Sequence, residues 1–302
     1  MTKTYYMHYC FIANGREDKL HVANEIKAEI EALKEKPDYE LYLTKAPGDA
    51  TRFVKEIVKA RKDEEICFVA CGGDGSIKEV ASGIVKAKDK YLAVLAKGTG
   101  NDFIKYYPGK NFASVEALLA GKPEKIDILK IGDQYSINVT NFGFDSVVGS
   151  TANKMAAKGK KDPYRIGIVT AILKGRFNNI VVKADGEQLN KKKMLLCTLA
   201  NCNFVGGEFK CAPKAKNNDG LIDVCLLKTM SLFRFLKILP VYTAGNHLDD
   251  PKFAKDIVYR QAKTVEIDAP KEIELCLDGE MLPGTHFEVS ILPKAVQIII
   301  PD

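Results

Sequence analysis

Ile66-Cys-Phe-Val-Ala-Cys-Gly-Gly-Asp-Gly-Ser-Ile-Lys-Glu-Val80 is the segment from which the rest of the chain becomes readable. Ile66–Ala70 is a fully apolar run, short for a helix and suited to a strand buried on both faces. Glycines, an aspartate and a serine follow at once, and a helical pattern then opens over Ser76–Lys88. A buried strand running through a glycine turn into a helix is part of a crossover unit. Gly72, Gly73 and Gly75 let backbone approach a phosphate closely, and the helix start offers unpaired N–H groups and a positive dipole end. Asp74 sits oddly there, because a carboxylate repels phosphate. It calls for a Mg2+ ion, a bound hydroxyl, or capping of backbone N–H groups. The competing reading is an ordinary tight turn with Asp74 or Ser76 as helix cap. A Walker-type G-x-x-x-x-G-K-[ST] loop is absent.

The flanking residues repeat the pattern. Tyr5–Ala13, Tyr39–Thr44 and Tyr91–Ala96 read as strands. Glu17–Lys36, with Leu20, Ala23, Ile26, Ile30 and Leu33 on one face, and Asp49–Lys62 read as helices. Such alternation predicts a parallel sheet, with ligands at the carboxyl ends of its strands. A second loop, Lys97-Gly-Thr-Gly-Asn-Asp-Phe103, leaves the fourth strand. Beside the first loop it would complete a two-sided cradle for a nucleotide. After a helix at Phe112–Leu119, Gly121-Lys-Pro123 is a stop signal.

The grammar then changes. Lys125–Ile131, Gln134–Val139, Asn179–Ala184, Met194–Ala200, Leu221–Leu227, Thr264–Asp268, Glu272–Leu277, His286–Leu292 and Val296–Ile300 read as strands with short turns. Helices are expected at Ser146–Lys158, Asp162–Lys174 and Ser231–Ala244. Many short strands with turn signals predict an antiparallel sandwich or barrel, so the domains are expected to be 1–124 and 125–302. The length agrees: 302 residues exceed what one hydrophobic core usually holds.

Composition narrows the function classes. A net charge of +6 suits an anionic ligand or membrane surface and falls short of a nucleic-acid signature. No apolar stretch approaches the ~18 residues of a spanning helix, and Met1–Tyr6 has no signal-peptide core. Eight cysteines without a C-x-x-C spacing read as reduced, buried thiols of a cytosolic protein. Four scattered histidines give no zinc pattern.

Taken together, Gly-Gly-Asp-Gly-Ser76 and Gly-Thr-Gly-Asn-Asp-Phe103 resemble the diacylglycerol kinase catalytic-domain family, in its bacterial soluble lipid kinase branch. Ile77, Glu79, Val80 and Gly83 match its helix after the first loop. Asp127, Asn141-Phe-Gly-Phe-Asp145, Asn218-Asp-Gly-Leu-Ile-Asp223 and Asp278-Gly-Glu280 match its later landmarks in order, so the resemblance covers nearly the whole chain.

The resemblance implies a Rossmann-like first domain of the NAD kinase/diacylglycerol kinase type and a β-sandwich second domain. It also implies ATP as phosphoryl donor, Mg2+, and a lipid acceptor with a free hydroxyl. Nucleotide contacts would come from Asn14, Arg16, Lys19 and Thr44, from Gly72, Gly73, Asp74, Gly75, Ser76 and Glu79, and from Gly98, Thr99, Asn101 and Asp102. The family has Asn-Pro and a glycine in the first-strand loop, where this chain has Asn14-Gly15 and Asp18. A structural Mg2+ would be held by Asp219 with the carbonyls of Lys216 and Leu221. Asp278, with Glu280 beside it, would receive the acceptor's proton, with Asp74 in support.

Asp-Gly-Glu also occurs at Asp185–Glu187, where it reads as a hairpin turn only. Lysines cluster at Lys154, Lys158, Lys160 and Lys161 with Arg165, and at Lys191–Lys193. They read as a solvated surface or as a docking patch for an anionic membrane. The expected location is the cytoplasm, with peripheral contact at the inner membrane face left open. A kinase of NAD or a soluble polyol, and a nucleotide sensor without turnover, remain alternatives.

Overall fold

In the first part of the chain each strand is followed by a helical segment, and the crossovers lay the strands side by side in parallel. The computed structural model describes residues 7–98, 100–163, 166–167, 170–171, 178–191 and 193–302. Chain contacts divide it into two units, one ending at Asp127 but including Lys294–Asp302, the other Ile128–Pro293.

The first unit contains β1 (His8–Asn14), a 3-10 turn (Glu17–Lys19), α1 (Leu20–Glu31), β2 (Tyr39–Thr44), α2 (Asp49–Ala60), β3 (Ile66–Gly72), α3 (Asp74–Ile84) and β4 (Lys90–Ala96). A second 3-10 turn (Phe103–Tyr106), α4 (Val115–Leu119) and the start of β5 (Lys122–Ile131) follow. β2, β1, β3 and β4 pair in that order and all in parallel, with Asn14 opposite Thr44 and Gly72 opposite Ala96. Their carboxyl ends therefore share one edge of the sheet. β3 is central, and Ile66–Cys71 are at most 3% exposed, as a strand covered on both faces requires. α1 buries Val22, Ala23, Ile26 and Ile30, whereas Leu20, expected on that face, is exposed. Gly83 of α3 packs on Val54 of α2 so closely that a Cβ would lie 2.5 Å from its Cγ1.

The second unit continues with β6 (Gln134–Ser136), β7 (Val139–Gly143), α5 (Phe144–Ala157), β8 (Val181–Ala184), β9 (Glu187–Gln188), β10 (Met194–Ala200) and β11 (Ile222–Lys228). Next come α6 (Leu232–Thr243), β12 (Ile257–Ala262), β13 (Thr264–Leu277) and β14 (Glu280–Ile300). The strand order is β12-β11-β10-β7-β13-β14, with β8 beside β13 and β5 beside β14. β10 is buried along its whole length. On one side Met194, Cys197 and Leu199 join a core with Val265, Leu275 and Val289, and on the other Leu196 and Ala200 meet residues of α5 and α6.

Several expected strands have different bounds, for identifiable reasons. The run expected at Gln134–Val139 breaks at Ile137-Asn138, because their N–H groups bond to the Asp278 carboxylate instead of a ladder. Thr264–Asp268 and Glu272–Leu277 are one strand with an irregularity between Asp268 and Ile273. β14 is likewise one strand, and its end pairs in parallel with β4. That return takes Lys294–Asp302 into the first unit, which a single cut at residue 124 does not allow. β5 begins directly after the Gly121 stop, at Lys122, and itself runs across the division. β12 was not expected, since Arg260-Gln261 interrupts its apolar pattern. The helix expected at Asp162–Lys174 lies partly outside the described residues. All eight cysteines are buried thiols. No helix among the described residues is long and apolar enough to cross a membrane.

Candidate functional site

At the carboxyl edge of the parallel sheet the two glycine loops meet backbone to backbone. The Lys97 N–H donates to the Gly72 carbonyl at 3.2 Å. A Cβ on Gly98 would lie 2.5 Å from both Cα and N of Gly73, so only glycine fits there. Because α3 begins at Asp74, the second half of the first loop is the first helical turn, whose N–H groups lack intrahelical partners. Gly72 has no room for a side chain either, with the Ser76 hydroxyl 2.4 Å from where a Cβ would be.

Asp74 joins the loops. One carboxylate oxygen accepts the Asp102 N–H at 2.9 Å and the other the Phe103 N–H at 3.0 Å. Gly100 clears its path, since a Cβ would stand 2.8 Å from Asp74 Oδ2. Burial raises the Asp74 pKa, against the lowering pull of those two N–H groups. Of the three readings open for Asp74, the geometry shows the capping of backbone N–H groups. Asn101 adopts φ 52°, and its amide donates to the Gly98 carbonyl at 2.7 Å. Its Oδ1 is buried and has no protein partner, although it lies beside Gly73. Asp102 is buried and bonded to Lys105 Nζ at 2.6 Å. Lys105 is a cation at the cradle that the sequence reading missed; its only signal is the i,i+3 spacing from Asp102. Thr99 lies outside the described residues.

The remaining expected nucleotide residues divide. Asn14 and Thr44 stand opposite each other at the ends of β1 and β2, on the same edge. Asn14 Oδ1 accepts the Arg16 N–H, and the exposed Arg16 guanidinium is paired with Asp18 at 3.0 Å. Asp18, the departure from the family pattern, thus neutralises the neighbouring cation. Lys19 is exposed in the first 3-10 turn. Glu79 caps α2, its two oxygens accepting the N–H groups of Gly48 and Ala50.

In the second unit the Asp278-Gly279-Glu280 turn joins β13 to β14, with Asp278 at φ 49° and Gly279 at φ 96°. Such paired left-handed conformations are those of a tight hairpin turn. The Asp278 carboxylate accepts the Ser136 hydroxyl and the N–H groups of Ile137, Asn138 and Val139, all within 2.8–3.1 Å. Asp185, in the other Asp-Gly-Glu copy, does the same for the N–H groups of Lys263 and Thr264. Both aspartates are therefore latches. What distinguishes the second copy is its neighbour: Gly149 of α5 leaves room for Met281, where a Cβ would be 2.7 Å from the methyl. Asp145, one turn earlier on the same helix, is a missed candidate, with its carboxyl pushed up to about 7 by burial.

Asp219 accepts the Leu221 N–H at 3.0 Å around Gly220, which has φ 75°. Among the described residues no three His, Cys, Asp or Glu side chains cluster as a metal site. The Asp219 turn thus offers one carboxylate, with the carbonyls of Lys216 and Leu221 as the other expected ligands. Such an oxygen set suits a hard cation that keeps several waters. Asp223 nearby is buried, bonded to the Tyr259 hydroxyl, and has its pKa raised by burial.

Family models match both parts of the chain: the diacylglycerol kinase catalytic domain over residues 8–131, and the YegS C-terminal NAD kinase beta sandwich-like domain over 138–300. A diacylglycerol kinase of Bacillus subtilis (strain 168) is 29% identical over 269 residues, covering 86% of this chain and 85% of that protein. The crystal structure of a diacylglycerol kinase from Bacillus anthracis str. Sterne superposes with a TM-score of 0.71 at 19% identity, covering 99% of this chain and 98% of the other. An Archaeoglobus fulgidus NAD kinase in complex with ATP shares the fold at a TM-score of 0.52 and 11% identity, over 97% and 93% of the two chains. The chain belongs to the family in which a diacylglycerol kinase catalytic domain is joined to a YegS C-terminal NAD kinase beta sandwich-like domain.

Proposed function

We propose that this protein transfers a phosphoryl group from ATP to the hydroxyl of a lipid such as diacylglycerol. The observation that carries the reading is the stapled pair of glycine loops, Gly72–Ser76 and Gly98–Asp102, within a family whose curated relatives include diacylglycerol kinases. Phosphoryl transfer asks a protein chiefly for positioning and charge neutralisation. The N–H groups of the first turn of α3 face the donor's phosphates, and the glycines keep side chains out of their path. The orphaned Asn101 Oδ1 fits a hydroxyl or amino donor of the nucleotide. Lys105 neutralises Asp102, so that carboxylate adds no net negative charge to the cradle. Asp74 positions the second loop. Mg2+, when bound, supplies charge neutralisation at the transferred phosphoryl group, and Asp74 and Asp102 are the carboxylates at the cradle. On the acceptor side Asp278 shapes the turn and Glu280 receives the hydroxyl proton. On this reading the protein works in the cytoplasm, in peripheral contact with the inner face of the membrane that holds its acceptor.

The deciding experiment is transfer from radiolabelled ATP, with Mg2+ or EDTA, to a total lipid extract, to NAD and to soluble polyols. Label in a chloroform-soluble product, lost with EDTA, is the expected result. Label only in NAD or a polyol would establish the soluble-acceptor kinase, and tight ATP binding with no transfer the sensor.

A further inference from the structure

Among the described residues four large apolar side chains are exposed, and three of them lie at the start of α6: Leu232 (39%), Phe233 (69%) and Leu236 (54%). Their spacing, i, i+1 and i+4, puts them on one side of the helix. The opposite side, Phe235, Ile238 and Tyr242, is buried in the core under α5 and α6. The first turns of α6 are thus apolar nearly all round, which water alone does not favour.

The turn is also held firmly. Ser231 caps it by accepting the Arg234 N–H at 3.2 Å. The Arg234 guanidinium bonds to Asp256 and the Lys252 carbonyl and lies 4.7 Å over the Phe253 ring. This pins the helix start to the segment Pro251–Asp256.

Cations lie on the helix and on the segments beside its start. Lys237 Nζ is 4.3 Å over the Phe233 ring, and Lys228 reaches the Lys255 carbonyl at 3.0 Å. Lys228, Lys237, Lys252 and Lys255 are all exposed. Segments Lys228–Lys237 and Pro251–Asp256 carry five cations and one carboxylate, Asp256, which Arg234 already holds. The acidic pair just before them is engaged too: Asp249 with Lys214, and Asp250 with the Lys252 N–H. Aliphatic and aromatic tips on a segment that carries several long, exposed cations suit an anionic bilayer surface, where lysines keep their charge at the headgroups.

We propose that the start of α6 is a membrane-docking surface. Leu232, Phe233 and Leu236 enter the acyl boundary of the bilayer, and Lys228, Lys237, Lys252 and Lys255 lie against anionic headgroups. The inference rests on the lipid-kinase reading, because an acceptor that resides in a bilayer is what selects a membrane over a protein as occupant. It places the contact on α6, apart in sequence from the lysines at Lys154–Lys161 and Lys191–Lys193.

The test is flotation with phosphatidylcholine vesicles, with and without phosphatidylglycerol. The combined variant Leu232→Ser, Phe233→Ser, Leu236→Ser should bind vesicles at least about tenfold more weakly than wild type. Its thermal melt should be unchanged, as should its phosphorylation of dihexanoylglycerol dissolved as monomer. Lys237→Glu with Lys252→Glu should lose binding only where phosphatidylglycerol is present. Equal flotation of wild type and the triple variant would overturn the assignment, as would a wild type that floats with neither vesicle. Self-association of wild type abolished by the triple variant, without any effect on flotation, would make the surface a protein contact instead. If wild type labels no lipid in detergent micelles yet still floats through α6, the lipid-kinase reading fails while the docking surface stands.

Discussion

Asp278→Asn separates two roles that one carboxylate can play in an Asp-Gly-Glu turn. Asp278 Oδ1 accepts Ser136 Oγ and the N–H groups of Asn138 and Val139, and Oδ2 accepts the Ile137 N–H. An asparagine can keep its oxygen on one side only. In its best orientation it retains three neutral bonds and turns its NH2 toward the Ile137 N–H, so that a buried donor goes unpaired. That loss costs about 1–3 kcal/mol, and removing the charge weakens the remaining bonds by up to about 1 kcal/mol each. Because bonds to one group are not additive, the total is about 2–5 kcal/mol, a large share of a typical folding free energy. For a unit of this size the melting temperature should fall by about 5–15 °C.

Activity should fall with it, by at least about a hundredfold, since the turn carries Glu280. Differential scanning calorimetry and steady-state kinetics on one preparation decide the matter. Asp185→Asn, which loosens the twin latch at Lys263-Thr264, should lower stability without that loss of turnover. An Asp278→Asn protein with an unchanged melting temperature and turnover lost would refute the latch and make Asp278 the proton acceptor.

Gly98→Ala forces a Cβ to within 2.5 Å of Gly73 backbone; equilibrium binding should show ATP affinity reduced at least about tenfold, and wild-type affinity would mean the loops do not form the cradle. Asp219→Ala should lower the melting temperature and abolish its response to EDTA; equal EDTA responses in both proteins would remove the cation from this turn. Asp145→Asn tests a pH dependence: the carboxyl is protonated in the fold up to about pH 7 but ionised in the unfolded chain above its ordinary value of 3.8. The unfolded state therefore binds fewer protons in that window, and wild type loses up to about 4 kcal/mol relative to the variant as pH rises through it. Parallel stability curves for the two proteins between pH 4 and pH 8 would show that Asp145 is not buried as described.

The first unit was largely legible because its signals are local. Tyr39–Thr44 has the expected bounds, and β3 and the two glycine loops follow from apolar runs that end in residues suited only to close backbone approach. The second unit was legible in composition but not in connectivity. Strand ends there are set by partners far along the chain, as when Asp278 takes the N–H groups of Ile137 and Asn138 and divides one expected strand into two. The return of Lys294–Asp302 to the parallel sheet left no local mark beyond an apolar run. Lys294 adopts φ 51° at the crossing, and its N–H meets the buried Asp127 at 2.7 Å. Asp127 was recognisable as a landmark, but not as the anchor of a residue 167 positions away.

Carboxylates show most plainly what a motif can and cannot say. Asp74, Glu79, Asp127, Asp219 and Asp278 all lie in segments that match the family, and each accepts at least one backbone N–H. A carboxylate so placed organises a turn or joins two loops, and its lone pairs are spent in proportion to the donors it holds. Asp278 has the largest share committed, accepting from four donors where Asp74 accepts two backbone N–H groups and Asp219 one. By that measure Asp219 keeps the most capacity for a cation and Asp278 the least for a proton. Sequence marks all three alike, as an aspartate next to a glycine, because the glycine that shapes the turn is the same in each. Assigning them different work requires the donors, and those belong to Asp102-Phe103, Leu221 and Ser136–Val139.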